Sequence, residues 1–118
     1  MSRSRFAGLR RHRVGPGAIV LEAGSFRSRL LGLAFLRGDR FPRENALLLR
    51  PCGSIHTFGM RFSIDVAFAD GRGHVLRVIP NLPPLRIRRC PGAAVALEAH
   101  AGELSRFLSR PIPRAAPA

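Results

Sequence analysis

A chain of 118 residues supplies one hydrophobic core and not two. Hydrophobic residues make up 46% and charged residues 23%, which excludes a wholly disordered chain, and no apolar run approaches the ~18 residues that a transmembrane helix needs. The formal net charge of +13 is carried by Arg alone, with no Lys. It predicts non-specific adhesion to polyanions at low salt. The absence of Lys beside abundant Ala, Gly and Pro also fits a GC-rich coding sequence, so the charge alone does not designate a nucleic-acid reader.

Along the chain, the first stretch carries Arg3, Arg5, Arg10, Arg11 and Arg13. It lacks the apolar run of ~7–15 residues that an export signal requires, so a cytoplasmic location is expected. Residues 1–17 read as a flexible basic arm. Residues 18–22 are a short apolar run after Gly15-Pro16-Gly17 and predict a strand. Ser25 is a good helix N-cap. Phe26, Leu30 and Leu33 follow at helical spacing and Gly38 closes the segment, predicting one early helix. Residues 46–49 are a continuous apolar run before Pro51, as in a buried strand. Residues 54–58 read as extended, with a kink at Gly59.

Residues 64–68 and 74–79 are two apolar runs separated by Asp70-Gly71-Arg72-Gly73, the pattern of a hairpin. Pro80, Pro83 and Pro84 predict a break in regular structure. Residues 85–89 read as an Arg-dressed edge strand and 93–99 as a further strand. A turn or short helix is expected at 101–104, and Phe107-Leu108 as a docked segment. The tail from 109 to 118 is Pro- and Ala-rich and reads as loose. Together these elements predict a mainly β fold, a compact antiparallel β-sandwich or partly closed barrel with one early α-helix, spanning residues 18–108.

The stretch PCGSIHTFGMRFSIDVAFADGRGHVLRV, residues 51–78, resembles the signature of the domain-of-unknown-function 192 family, also called uncharacterised protein family 0127. The matching residues are Gly32-Leu33, Cys52, Ser54, His56, Thr57, Phe58, Met60, Ile64-Asp65, Cys90, Leu97-Glu98 and Gly102. Ala34 stands where the family usually has Met, and Ser63 where it usually has Pro. The resemblance implies a small, mostly β domain and no established activity. It also places a Cys at both 52 and 90, which implies that the two thiols lie close together.

Three kinds of chemistry are open to these residues. His56 and Asp65 could face each other as a general base and its orienter, giving a small hydrolase-like enzyme. No activated nucleophile accompanies them, and the same residues fit a purely structural role. Cys52, His56, Cys90 and His100 are metal-ligand types, but they lack the two close pairs of a structural zinc site, so no metal and no cofactor are expected. The chain has neither Trp nor Tyr and no nucleic-acid-binding motif, leaving a basic nucleic-acid-associated protein as a third reading. The leading expectation is a binding or accessory module acting through residues 52–65 on an unknown small ligand or protein partner. Its ligand-binding residues would be His56, Thr57, Met60, Arg61 and Asp65, with Arg61 suited to a carboxylate or phosphate.

Overall fold

The computed structural model describes residues 6–24, 33, 34 and 36–108. Strand β1 (Arg10–Gly15) pairs antiparallel with β2 (Ala18–Ala23) across a turn at Pro16 and Gly17, where Gly17 takes a positive φ of 61°. β2 then lies parallel to β3 (Asn45–Leu49). A ribbon of two short strands is formed by β4 (Ser54–His56) and β7 (Ile87–Arg89). β5 (Ile64–Ala69), β6 (Val75–Leu82) and β8 (Val95–His100) complete the main sheet, whose order is β1-β2-β3-β8-β5-β6. A single helical turn, α1 (Ser105–Leu108), follows.

The fold is therefore mainly β, with a six-stranded sheet carrying a two-stranded one. The large sheet stays open, with β1 and β6 at its edges, rather than closing into a barrel. It is mixed, not purely antiparallel. The connection from Gly24 to Glu44 is long enough for a crossover, which lets β3 run alongside β2 in the same direction. The early helix expected over residues 25–38 falls mostly outside the described residues, as does the tail 109–118.

Burial explains the strand composition. β3, β5 and β8 are buried along their whole length. Such strands have apolar cover on both faces, so their sequences read as continuous apolar runs instead of alternating. Side chains alternate between two core layers. Leu47, Leu49, Ile64, Val66, Phe68 and Ala96 point one way, onto Ile55 and Cys90 of the ribbon and onto Phe41 and Met60. Ala46, Leu48, Ala67, Leu97 and Ala99 point the other way, with Leu104 and Phe107 of the helical turn. We call these the ribbon face and the helix face.

Two local departures have physical causes. Residues 10–15, expected within a loose basic arm, form strand β1. Its Arg side chains stay in solvent, while Glu22 accepts from His12 at 3.0 Å and pairs with Arg50 at 2.8 Å, tying the edge to β2 and β3. β6 runs on through Pro80 to Leu82 although prolines predict a break. The strand bulges there, so that Ile64 pairs with Leu82 but Val66 with Ile79, and Asn81 sits at φ 51°. The hairpin at 70–73 is present. Asp70 Oδ1 accepts from the Arg72 and His74 amides, both at 2.9 Å, and these bonds, the His74 amide foremost, lower the Asp70 pKa.

Candidate functional site on the ribbon face

The residues singled out in the sequence separate into three groups. Asp65 points to the helix face, as Ala67 and Ala69 do on the same strand. It is 5% exposed, and its carboxylate is fully engaged. Oδ1 accepts from the Asn81 amide at 2.9 Å, and Oδ2 accepts from the Gly102 and Leu104 amides at 2.9 and 3.2 Å. One carboxylate thus pins the bulge of β6 and the turn after β8 to the middle of the sheet. Ile55 fixes the ribbon to the opposite face. His56 and Asp65 therefore stand on opposite sides of the sheet and form no acid–base pair.

Thr57 and Met60 are framework as well. Thr57 is wholly buried at the end of the ribbon. Its hydroxyl donates to the Pro83 carbonyl and accepts from the Arg86 amide, both at 2.8 Å. Its amide donates to the Arg86 carbonyl, and its carbonyl accepts from the Met60 and Leu85 amides. It clamps the 83–86 connection to the ribbon and has no bond to Asp65. Met60 is a core residue of the ribbon face. His100 is buried there too, stacked on Phe62 at 4.5 Å with Nε2 donating to the Phe41 carbonyl.

The third group is exposed. Ser54 pairs with Arg89 and His56 with Ile87 in the ribbon register. Alternation turns these four side chains away from the sheet, since Ile55 between them points in. His56 stacks on Phe58 at a centroid distance of 5.8 Å. His56 Nδ1 is buried without a hydrogen-bond partner among the described residues. Ile87 and Leu85 are 54% and 66% exposed, and Leu85 is held at φ 68°, a left-handed conformation that costs a non-glycine residue about 1–3 kcal/mol. Arg61, Arg86 and Arg89 are exposed in the same segments. At the other end of the ribbon a shallow depression is lined by Gly53, Ser54, Arg89, Cys90 and Gly92.

Both cysteines stand at this end. The Cys90 amide donates to the Gly53 carbonyl at 2.9 Å, so the ladder brings residue 90 opposite the neighbour of Cys52. Cys90 belongs to the ribbon-face core, and Cys52 packs against that core. Among the described residues no three His, Cys, Asp or Glu side chains are grouped to hold a metal ion. His100 lies under Phe62, away from any such group.

Glu98, noted in the sequence only as a landmark of the resemblance, is the most unusual group in the core. It lies on the central strand between Leu47 and Val66, pointing to the ribbon face, and is 1% exposed. Among the described residues Oε1 has no hydrogen-bond partner, and burial pushes the carboxyl pKa up to about 8. The acid is neutral at pH 7 and carries a donatable proton. The signal is legible as one acidic residue in the otherwise apolar run VALEA, but sequence does not reveal whether such a residue is partnered.

The architecture recurs in solved structures. One is described as a "putative transcription regulator" from Sinorhizobium meliloti 1021, with TM-score 0.67 and 20% identity, matching 80% of this chain and 77% of that one. Another is a protein of unknown function from Novosphingobium aromaticivorans DSM 12444, with TM-score 0.66 and 15% identity over 94% and 95% of the two chains. At these identities the likeness is one of fold. No curated protein matches the chain. The family model DUF192, described as uncharacterized ACR, matches residues 13–110, which take in every strand but the start of β1, and with them the ribbon, the Asp65 anchor and Glu98. The chain belongs to the DUF192 family.

Proposed function

We propose that this chain is a binding module and that its recognition surface is the outer face of the β4–β7 ribbon. The observation that carries this reading is the stacked His56–Phe58 pair flanked by exposed Ile87 and Leu85, with arginines at the margin. An apolar centre with a cationic rim suits a ligand or protein partner that offers a flat apolar group and an acidic edge. Of the residues expected to bind, His56 and Arg61 remain in that role, and Thr57, Met60 and Asp65 support it from below. The reading places the module in the cytoplasm. Among the described residues no helix is long and apolar enough to cross a membrane. Non-specific polyanion binding would accompany it at low salt as a consequence of net charge.

Native mass spectrometry of freshly purified protein tests the reading. The wild-type chain is expected to retain a bound species that the double variant Phe58→Ser, Ile87→Ser loses. Retention by that variant would count against the ribbon face. We also propose Cys52 and Cys90 as a pair that can be bridged. Mild oxidation followed by digestion should yield a Cys52–Cys90 cross-linked peptide from monomer, and its absence would dismiss the pairing.

A further inference from the structure

The two edges of the main sheet are built differently. β1 presents Arg10, Arg11 and Arg13 to solvent, a charged edge that resists pairing with another chain. β6, at the opposite end of the sheet, is longer, with 8 residues. Among the described residues no strand pairs with its outer side. It exposes Val75, Leu76 and Val78, each by more than two-fifths of its surface (43%, 47% and 46%). Beyond Ile79 this edge is closed to pairing, because Pro80 lacks an amide hydrogen and Asn81 turns to a positive φ. The open window is residues 75–79.

The surroundings of that window are cationic. From residue 71 to residue 97 the sequence contains Arg72, Arg77, Arg86, Arg88 and Arg89 and not one Asp or Glu. The acids beside it are engaged by backbone amides, Asp70 by those of its own turn and Asp65 by that of Asn81 among others. The Arg77 guanidinium bonds the Arg89 carbonyl at 3.0 Å, which brings β7 and its arginines beside β6.

We propose that the β6 edge is a docking site for an acidic, extended polypeptide segment, which adds to the sheet as a further strand. Main-chain hydrogen bonds along residues 75–79 would hold it, its apolar side chains would cover Val75, Leu76 and Val78, and its carboxylates would meet the arginines. A second copy of this chain fits poorly, since two chains of +13 would meet edge to edge with Arg77 near the axis.

Amide hydrogen exchange and titration on the full chain test this with synthetic peptides of about ten residues, the length of a long strand. One alternates Glu with Val. A second replaces Glu by Lys. A third keeps Glu and Val but carries Pro at every third position, which removes amide donors without changing charge. The first peptide is expected to bind, to protect amides within 75–79, and to weaken as salt rises. The other two should bind at least about tenfold more weakly. Equal binding of the proline-bearing peptide would reduce the effect to bulk charge and overturn the proposal, as would equal binding of the Lys peptide. Protection on β1 or the ribbon instead of β6 would overturn it as well. A protein that sediments alone as a dimer with 75–79 already protected would assign the edge to a second copy and also overturn it.

Discussion

Two buried carboxylates on neighbouring strands of one sheet have opposite surroundings. Asp65 faces the helix layer and accepts three backbone amides. Glu98 faces the ribbon layer and has an oxygen with no hydrogen-bond partner among the described residues. Asp65 is engaged by hydrogen bonds, so its charge is offset and its role is to hold segments together. Glu98 has its pKa raised by desolvation, which favours the neutral acid. The helix face thus reads as framework. On the other side of the sheet stand Glu98, within the ribbon-face core, and the stacked His56 and exposed Phe58, on the outer side of the ribbon.

The largest effect expected from breaking this contrast is at Asp65. Asp65→Ala strips three amides, that of Leu104 fully buried, of their acceptor and should cost on the order of 3 kcal/mol, measured by urea denaturation. Next is the pH dependence due to Glu98. The folded acid keeps its proton to about pH 8, while the unfolded one loses it near 4.5. The unfolded state therefore binds fewer protons within that window. Stability is highest below it, falls as pH rises through it with a limiting slope of about 1.4 kcal/mol per pH unit, and levels off above it. Glu98→Gln should flatten this fall, and Glu98→Leu should raise stability at pH 8 relative to wild type. A wild-type chain equally stable at pH 5 and pH 8 would show that Glu98 is partnered in solution.

Thr57→Val comes third. It keeps the shape but removes both hydroxyl bonds of the 83–86 clamp, and should cost about 1–3 kcal/mol. The smallest effect is expected on the outer ribbon face. Phe58→Ser should change stability by less than about 0.5 kcal/mol, as at other exposed positions, while changing whatever the chain binds. A large loss of stability there would move Phe58 from recognition to framework.

The positions of the core strands along the chain are legible because their sequences are strongly apolar and their turns carry Gly, Asp and Pro. The runs 18–22, 46–49, 64–68 and 93–99 read as strands in the sequence, and the structure has strands at 18–23, 45–49, 64–69 and 95–100. β1 was hidden because an edge strand with solvated faces needs no apolar residues, and RRHRVG reads as an arm. The continuation of β6 was hidden because its partner for the Asn81 amide is a carboxylate sixteen positions earlier in the chain. At the site, Asp65 and His56 are nine positions apart and were open to pairing in sequence. Ile55 and Ile64 both point to the ribbon face, which sends Asp65 to the far side of the sheet. Faces depend on sheet register, and register is set by tertiary pairing that a motif does not encode.

One short signature divides into Asp65, which anchors three backbone amides, and the outer face of the β4–β7 ribbon, which we propose as the recognition surface. Equilibrium urea denaturation of Asp65→Asn beside His56→Gln tests that division directly. The account predicts a loss of about 1.5–3 kcal/mol for Asp65→Asn and less than about 0.5 kcal/mol for His56→Gln. A wild-type midpoint for Asp65→Asn, or equal losses in the two variants, would contradict it.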